Sequence, residues 1–315
     1  MLDLLGYAAF FLATALIYGI FCLGLNLQWG QTGLFNVGVA GFAAIGAYTS
    51  ALLTTPETTG RLGGFEMPIV VGWLGAMVVS GLAAALIGAV TIRLRADYLA
   101  IATFGVAVCI QLLALNLESL TGGPFGIGFI PRPFASLQAD ALSFNLANLA
   151  LVVAVTVAIY FALQRLIRSP WGRVLRGIRE DEAAAIELGK NPLLYRLQAF
   201  VLGCAILGLA GAMQGHFIGF IAPENYLSPL TFQVWAMLII GGSGNNRGAI
   251  LGAIVVWCFW TLSGAIVAGV VPSEYQARSA ALQIVAIGVA LSAVLLVRPR
   301  GLLGELQTVS RFIKP

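Results

Sequence analysis

Long apolar runs follow one another along almost the whole chain, and the short gaps between them hold most of its charges. About eight to nine runs are long enough to cross a hydrocarbon core of about 30 Å as helices. They lie near residues 8–27, 33–53, 69–92, 98–118, 147–167, 197–221, 229–243, 249–270 and 280–297. Hydrophobic residues make up 59% of the 315 residues and charged residues only 10%, where soluble domains have about a quarter charged. The sequence therefore predicts an all-α polytopic membrane protein, with one transmembrane domain over residues 1–315.

The positions of Lys and Arg predict how the chain is oriented, because short cytoplasmic loops carry an excess of them. If the loop of residues 165–196 is cytoplasmic, alternation of the spans places 14 of the 17 basic residues inside and leaves Arg61, Arg132 and Arg278 outside. The C-terminus is then cytoplasmic, and residues 119–146 form a periplasmic loop. With nine spans the N-terminus lies outside. If residues 33–53 are broken or re-entrant, eight spans place it inside.

A segment rich in glycine and amide side chains interrupts the apolar pattern near the N-terminus. It contains Asn26, Gln28, Gln31, Thr32 and Asn36. Polar side chains and a broken backbone occur at membrane depth only when buried in protein or lining a wet cavity, and broken helices often surround the substrate of transporters. Two interpretations stay open: the segment lines a solute pathway, or it is a turn between the first two spans whose polar groups face the cytoplasm.

Glycines spaced by four residues predict close contacts between helices. The two sets are Gly211, Gly215 and Gly219, and Gly244, Gly248 and Gly252. Small residues at this spacing line one helix face and let two backbones approach closely in a membrane. The pattern predicts a tightly packed bundle and no particular function.

The longest charged gap, residues 165–196, reads as one or two short helices. Pro170 suits a helix start, and Gly189 suits a helix end. Acidic residues at 180–182 suit the positive N-terminal end of a second short helix, whose alanines give it a small apolar surface. The arginines could anchor the loop at anionic lipid headgroups. We favour a docking segment for a soluble partner, since lipid anchoring needs neither the acids nor the alanines.

Residues with catalytic or metal-binding chemistry are few. Cys22, Cys109, Cys204 and Cys258 lie apart within apolar runs and are interpreted as packing residues. The single histidine, His216, excludes a histidine cluster and is expected to be a hydrogen-bonded interface residue. The chain has no GxxxxGK[ST] phosphate loop. We therefore expect no enzyme activity, no metal, no cofactor bound by this chain and no nucleic-acid partner.

Several stretches, taken together, resemble the LivM-type permeases of branched-chain amino acid ABC importers. They include L-G-L-N-L-Q-W-G-Q-T-G-L-F-N-V-G-V-A-G-F-A-A-I-G-A-Y-T (23–49), R-L-R-A-D-Y-L-A-I-A-T (93–103), E-S-L-T-G-G-P-F-G-I (118–127), G-R-V-L-R-G-I-R-E-D-E-A-A-A-I-E-L-G (172–189) and G-G-S-G-N-N-R-G-A-I-L-G (241–252). The resemblance covers nearly the whole chain in order.

The resemblance implies a passive channel half in the bacterial inner (plasma) membrane. Its partners would be a second, LivH-type permease, two cytoplasmic ABC ATPases that hydrolyse ATP with Mg²⁺, a periplasmic substrate-binding protein and membrane lipid. Carried over by motif, the ATPase-coupling residues would be Arg173, Arg176, Arg179, Glu182, Ala183, Ala184 and Gly189. The alternatives are an ABC permease for urea or short amides, and an ATP-independent secondary transporter or facilitator.

A zwitterionic amino acid in a midline cavity would need hydrogen-bonding groups without buried net charge. Polarity and depth select the pathway candidates Asn26, Gln31, Asn36, Thr49, Thr103, Gln111, Asn116 and Gln214. A rigid stretch rich in Gly and Pro, residues 122–133, is expected to form a surface with residues 222–229 that receives the binding protein. The contact candidates there are Gly122, Gly123, Pro124, Arg132 and Glu224.

Overall fold

The computed structural model describes residues 2–58, 61–270, 285, 288–289, 292–293, 296 and 301–304, and these residues are mostly helical. Eleven α-helices lie in the described ranges: α1 Leu2–Thr32, α2 Val39–Thr54, α3 Ile69–Thr91, α4 Ala96–Asn116, α5 Glu118–Thr121, α6 Ala141–Arg168, α7 Pro170–Glu180, α8 Glu182–Glu187, α9 Pro192–Ile218, α10 Ser228–Gly241 and α11 Asn246–Val270. The prediction of an all-helical protein is confirmed for this part of the chain. The predicted ninth span and Arg278 fall outside the described residues, apart from single positions within 280–297.

Within the ranges that the structure describes, six helices are long and apolar enough to cross a membrane. They are α1, α3, α4, α6, α9 and α11, while the apolar helices α2 and α10 are shorter, with 16 and 14 residues. The predicted second span therefore begins at Val39 and not at residue 33. The six residues before it have no helical structure, as expected of a broken segment.

The middle of the bundle is formed by α1 and α9. Helix α9 packs against α1, α2 and α3, and α1 packs in addition against α6 and α11. Phe21 on α1, Phe42 on α2 and Phe200 on α9 are fully buried, and the rings of Phe42 and Phe200 meet edge to face at 5.6 Å. The least buried of the six long apolar helices are α6 and α11, so they form the outside of the bundle.

The helix ends lie on two sides of the molecule, called here the coupling end and the opposite end. The coupling end carries α7 and α8, and the C-terminus of α1 reaches it because Arg179 of α7 donates a hydrogen bond to the carbonyl of Gly30. Residues 301–304 lie at this end too, since Leu302 N–H donates to the carbonyl of Ile240 at 2.8 Å. The opposite end carries residues 117–133, where Leu62 N–H donates to the carbonyl of Ser119 at 2.7 Å.

Glycines bring the central helices into backbone contact. A Cβ added at Gly211 would clash with the backbone of Ala43, and one at Gly252 with the backbone of α10, as the predicted packing requires. Gly219 and Gly244 behave differently. Their φ angles are +81° and +85°, so they occupy the left-handed region at turns rather than a helix face. The prediction that all six glycines of the two sets line helix faces is wrong at these two positions.

Capping residues decide where two of the long helices begin. Asp140 accepts hydrogen bonds from Ser143 Oγ at 2.5 Å and from Leu142 N–H at 3.2 Å, and these bonds lower the pKa of Asp140. Asn191 caps α9 by accepting from Leu194 N–H at 3.4 Å, and Pro192 occupies the first turn. Both helices therefore start five or six residues before the predicted apolar runs, so the loops between spans are shorter than 119–146 and 165–196.

Candidate functional site

The break between α1 and α2 is held by buried amide side chains. Asn36 Nδ2 donates to Gln28 Oε1 at 2.8 Å, and Gln28 Nε2 donates to the carbonyl of Phe200 on α9 at 3.0 Å. Asn36 Oδ1 accepts from Gly38 N–H at 2.7 Å, which satisfies a backbone group next to the start of α2. The break is therefore a junction of α1, α2 and α9 that is held by the side chains of Gln28 and Asn36.

The last turns of α1 are tied to the connection between α10 and α11. Asn26 Nδ2 donates to Asn246 Oδ1, and Asn26 Oδ1 accepts from Gly244 N–H, each at 2.8 Å. Gln31 Nε2 donates to the carbonyl of Gly244 at 3.1 Å. Asn26 is 0% exposed and Gln31 is 1% exposed. The interpretation of this segment as a turn facing the cytoplasm is therefore wrong.

The other pathway candidates are placed in different surroundings. Thr103 joins the junction, because its hydroxyl accepts from Val37 N–H at 3.0 Å. Thr49 and Asn116 bond to carbonyls of their own helices, and Asn116 is exposed. The structure thus brings Asn36 and Thr103 together at the junction. Asn26 and Gln31 lie instead at the connection between α10 and α11, and Thr49 and Asn116 lie apart from both groups.

Two glutamines from the same set are partly buried elsewhere in the bundle. Gln111 lines a small cavity between α2, α4 and α10 together with Thr231 and Tyr226. Gln214 is hydrogen-bonded to the hydroxyl of Tyr18, and its carbonyl oxygen is buried without a partner among the described residues. Among the described residues no hydrogen bond joins either glutamine to Asn26 or Asn36, so the eight candidates do not form one site.

An apolar groove of about 790 Å³ runs along α10 beside the break. Its wall is aromatic: the ring of Phe35 lies 5.3 Å from that of Trp29 and 4.7 Å from that of Trp235. Trp235 Nε1 donates to the carbonyl of Asn36 at 2.9 Å, which joins this wall to the amide junction. Sequence reasoning missed the groove, although Trp29 and Phe35 flank the polar segment and could have indicated it.

The short helices α7 and α8 were predicted closely. Pro170 stands in the first turn of α7, Asp181 caps α8 by accepting from Ala184 N–H at 3.0 Å, and Gly189 ends it with φ +73°. Ala183 and Ala184 are exposed, and Ile186 and Leu188 are 53% and 78% exposed. The pair therefore presents an apolar patch, defined here as the α8 patch, consisting of Ala183, Ala184, Ile186 and Leu188.

Three contacts connect this helix pair to the spans. Arg196 of α9 forms an ion pair with Glu182 at 2.9 Å. Trp171 Nε1 donates to Gln198 Oε1 of α9 at 2.7 Å, and Arg179 reaches the end of α1 as described above. The three arginines expected to couple to an ATPase thus differ in their surroundings: Arg173 is exposed and Arg176 half-buried, while Arg179 faces α1.

The Gly- and Pro-rich stretch at the opposite end pairs with the end of α9. Ile127 and Ile221 exchange backbone hydrogen bonds of 2.8 and 3.0 Å, and Arg132 donates to the carbonyl of Ile218. Phe125 and Phe129 are 87% and 93% exposed. Residues 122–132 and 218–224 therefore form one surface, which carries the contact candidates Gly122, Gly123, Pro124, Arg132 and Glu224.

His216 links this surface to the bundle. One ring nitrogen lies 2.8 Å from Ser50 Oγ of α2, and the other lies 2.7 Å from the carbonyl oxygen of Pro131. The prediction of a hydrogen-bonded interface histidine is confirmed. In the described part of the chain, no group of His, Cys, Asp and Glu side chains has the arrangement of a metal site.

A family model described as the branched-chain amino acid transport system / permease component matches residues 7–297. The chain belongs to this family. The resemblance noted in the sequence is therefore confirmed. Because the described part of the chain alone has six apolar helices of spanning length, this family member is a multi-pass membrane protein.

The chain is 34% identical over 266 residues to the high-affinity branched-chain amino acid transport system permease protein LivM of Escherichia coli K12. The match covers 76% of this chain and 60% of that protein. LivH of the same organism is 26% identical over 295 residues, with 91% of both chains covered. The nucleoside ABC transporter permease protein NupC of Lactococcus lactis is 27% identical over 270 residues, with 80% of this chain and 79% of NupC covered. No solved structure matches the chain.

Proposed function

We propose that this chain is a transmembrane permease subunit of a binding-protein-dependent ABC importer, and that it carries branched-chain amino acids across the bacterial inner membrane. The coupling end faces the cytoplasm, so the C-terminus is cytoplasmic as well. The second half of the channel is a LivH-type permease. ATP and Mg²⁺ are used by two partner ATPases, because this chain has no phosphate-binding loop of its own.

The single observation that carries the proposal is the connection of an exposed helix pair to the central helices. The α8 patch is apolar and exposed, as a docking surface for a soluble subunit should be. The helix pair that presents it is joined to α9 through Glu182 and Arg196 and to α1 through Arg179. A displacement of the patch by an ATPase would therefore be transmitted to the two most central helices.

The character of the groove supports an amino acid with an apolar side chain as the solute. Aromatic side chains dominate its wall, and Gln233 contributes one of its few polar groups. Burial of a methylene group contributes about 0.8 kcal/mol, so a leucine-sized side chain gains from such a wall while urea or a short amide gains little. A LivH-type subunit would close the groove from its open side, and Gln233 and Ser243 of its wall would offer hydrogen bonds to the zwitterion.

The surface at the opposite end is assigned to the periplasmic binding protein. Its backbone pairing to the end of α9 gives it a defined shape, and Arg132 and Glu224 supply exposed charges of both signs. A binding protein docked here would act on α9 and, through His216, on α2. The α9 helix is thus reached from both ends, which suits alternating access driven by outside binding and inside ATP hydrolysis.

Purification of the chain with its genomic neighbours tests the proposal directly. We expect a second permease and two ATPases to co-purify in stoichiometric amounts in mild detergent. Reconstituted vesicles should take up leucine only when ATP and the neighbouring binding protein are both present. A chain that purifies alone and moves solute without ATP would establish a facilitator, and uptake of urea in place of leucine would overturn the solute assignment.

A charge swap tests the coupling role of the helix pair. Glu182→Lys places two positive charges together and should abolish uptake while membrane insertion and purification stay normal. The double variant Glu182→Lys/Arg196→Glu restores the ion pair in reverse and should recover part of the uptake, because the contact to α9 returns. Glu57→Lys at the opposite end is the control for a charge reversal as such. Normal uptake by the Glu182→Lys variant would remove this segment from the coupling path.

A further inference from the structure

A basic pocket lies at the coupling end between α6 and α11, away from the groove and from α8. Its volume is about 710 Å³. The last turns of α6 and the first turn of α11 form its wall, with the side chains Tyr160, Phe161, Gln164, Arg165, Arg168 and Arg247. The pocket is therefore lined by three arginines and by the polar groups of a tyrosine and a glutamine.

The positive charge of this pocket is uncompensated within the described part of the chain. No acidic side chain there forms an ion pair with Arg165, Arg168 or Arg247. Arg247 Nε donates to the hydroxyl of Tyr160 at 3.2 Å, which positions its guanidinium and leaves the tyrosine proton free to donate. Several hydrogen-bond donors therefore converge on this pocket.

The flanks of the pocket are apolar and point away from the bundle. On α6, Val153, Val157 and Phe161 are 39%, 45% and 64% exposed, and on α11, Phe259 and Leu262 are 42% and 58% exposed. Because α6 and α11 are the least buried of the long apolar helices, these side chains form a surface suited to hydrocarbon. Arginines cap this surface at the end that the proposed topology places in the cytoplasm.

We propose that the pocket binds the phosphate headgroup of an anionic phospholipid of the cytoplasmic leaflet, with the acyl chains lying along the exposed faces of α6 and α11. Guanidinium groups bind phosphate through paired hydrogen bonds, and basic pockets between transmembrane helices on the cytoplasmic side recognise anionic headgroups. A free phosphate ion would use the same donors but would gain nothing from the apolar flanks. The lipid is bound as a permanent component of the permease rather than as transported solute.

Lipid retention by the purified complex tests this inference. The full complex is reconstituted with equal amounts of phosphatidylglycerol and phosphatidylcholine, extracted in mild detergent, and the retained lipids are counted by native mass spectrometry. A basic residue near an anionic surface contributes about 1 kcal/mol to the binding free energy, so removal of one arginine should weaken phosphatidylglycerol binding about fivefold. The double variant Arg165→Gln/Arg168→Gln should weaken it about 25-fold. Arg93→Gln/Arg95→Gln removes two exposed arginines between α3 and α4 and should retain wild-type binding.

The outcomes separate the lipid from its alternatives. Preferential retention of phosphatidylglycerol that is lost in the Arg165/Arg168 variant and kept in the control supports the site. Equal retention of both lipids, or equal loss in both double variants, overturns it. Thermal stabilisation by inorganic phosphate equal to that by phosphatidylglycerol would mean a site for free anions and would overturn the lipid assignment. If the double variant is not monodisperse, the single variant Arg247→Gln is measured in its place. Its affinity for phosphatidylglycerol should be about fivefold lower than that of the wild type, and wild-type affinity would overturn the site.

Discussion

Replacement of Gly41 by alanine tests how closely α2 and α4 must pack next to the break. A Cβ added at Gly41 would lie 2.7 Å from Cα and 3.0 Å from Cβ of Ala107, and 3.1 Å from Cδ1 of Ile110. Carbon atoms in contact are separated by about 3.5–4.0 Å, so the two helices must move apart by about 1 Å. Thr103 lies on α4 and holds the backbone of the break through Val37, so this displacement also loosens the junction.

The magnitude follows from two opposing effects. Overpacking lowers the free energy of unfolding by about 1–3 kcal/mol. Exchange of a helical glycine for alanine raises it by up to about 1 kcal/mol. Gly105 on α4 is the matched control, because no described atom lies within 4 Å of a Cβ added there. The Gly41→Ala and Gly105→Ala variants should therefore differ by about 2 kcal/mol, or about 4–8 °C in Tm.

Thermal melting of the detergent-purified complex, followed by size-exclusion chromatography, measures this difference. We expect Gly105→Ala to melt at or slightly above the wild-type temperature and to retain uptake. Gly41→Ala should melt lower and take up less leucine. Equal melting temperatures of the two variants would refute the reasoning, because α4 could then move away from α2 without a loss of stability.

Two further predictions concern polar contacts. Asn26→Ala leaves Asn246 Oδ1 and Gly244 N–H without their partner and should lower the free energy of unfolding by about 1–3 kcal/mol. Asn116→Ala removes an exposed amide that bonds its own helix and should leave Tm unchanged. Equal losses of Tm in both variants would contradict the role of Asn26 in holding α1 to the connection between α10 and α11. Arg132→Glu and Glu224→Lys should each lower ATPase stimulation by the binding protein and leave basal ATPase activity as in wild type. Unchanged stimulation in both variants would exclude this surface as the receiving site.

The spans of the fold could be predicted from the sequence because apolar length is a local property. Their ends could be predicted less well. Helix α9 starts at Pro192 and α6 at Ala141, each several residues before its apolar run, because capping by Asn191 and Asp140 outweighs the polarity of the first turn. The short helices α7 and α8 were predictable to within a residue or two, since Pro170, Asp181 and Gly189 act on the backbone next to them.

The candidate site was only partly predictable for a different reason. The polar segment around Asn36 could be recognised as unusual, yet polarity and depth alone grouped it with Thr49 and Asn116, which bond to their own helices. Hydropathy contains no information on which helix faces which. The aromatic wall of the groove and the arginine pocket were missed because each is assembled from side chains on separate helices.

The sequence by itself determined the membrane class, the approximate spans, the broken segment and the position of the short helices α7 and α8, because apolar length, charge and capping act between near neighbours in the chain. The tertiary structure decided the partners of the buried amides. Asn26 meets Asn246 across 220 residues, and Gln28 meets the carbonyl of Phe200 across 172. It also decided that Arg179 faces α1, because only the packed arrangement of the helices brings such distant groups within hydrogen-bonding distance.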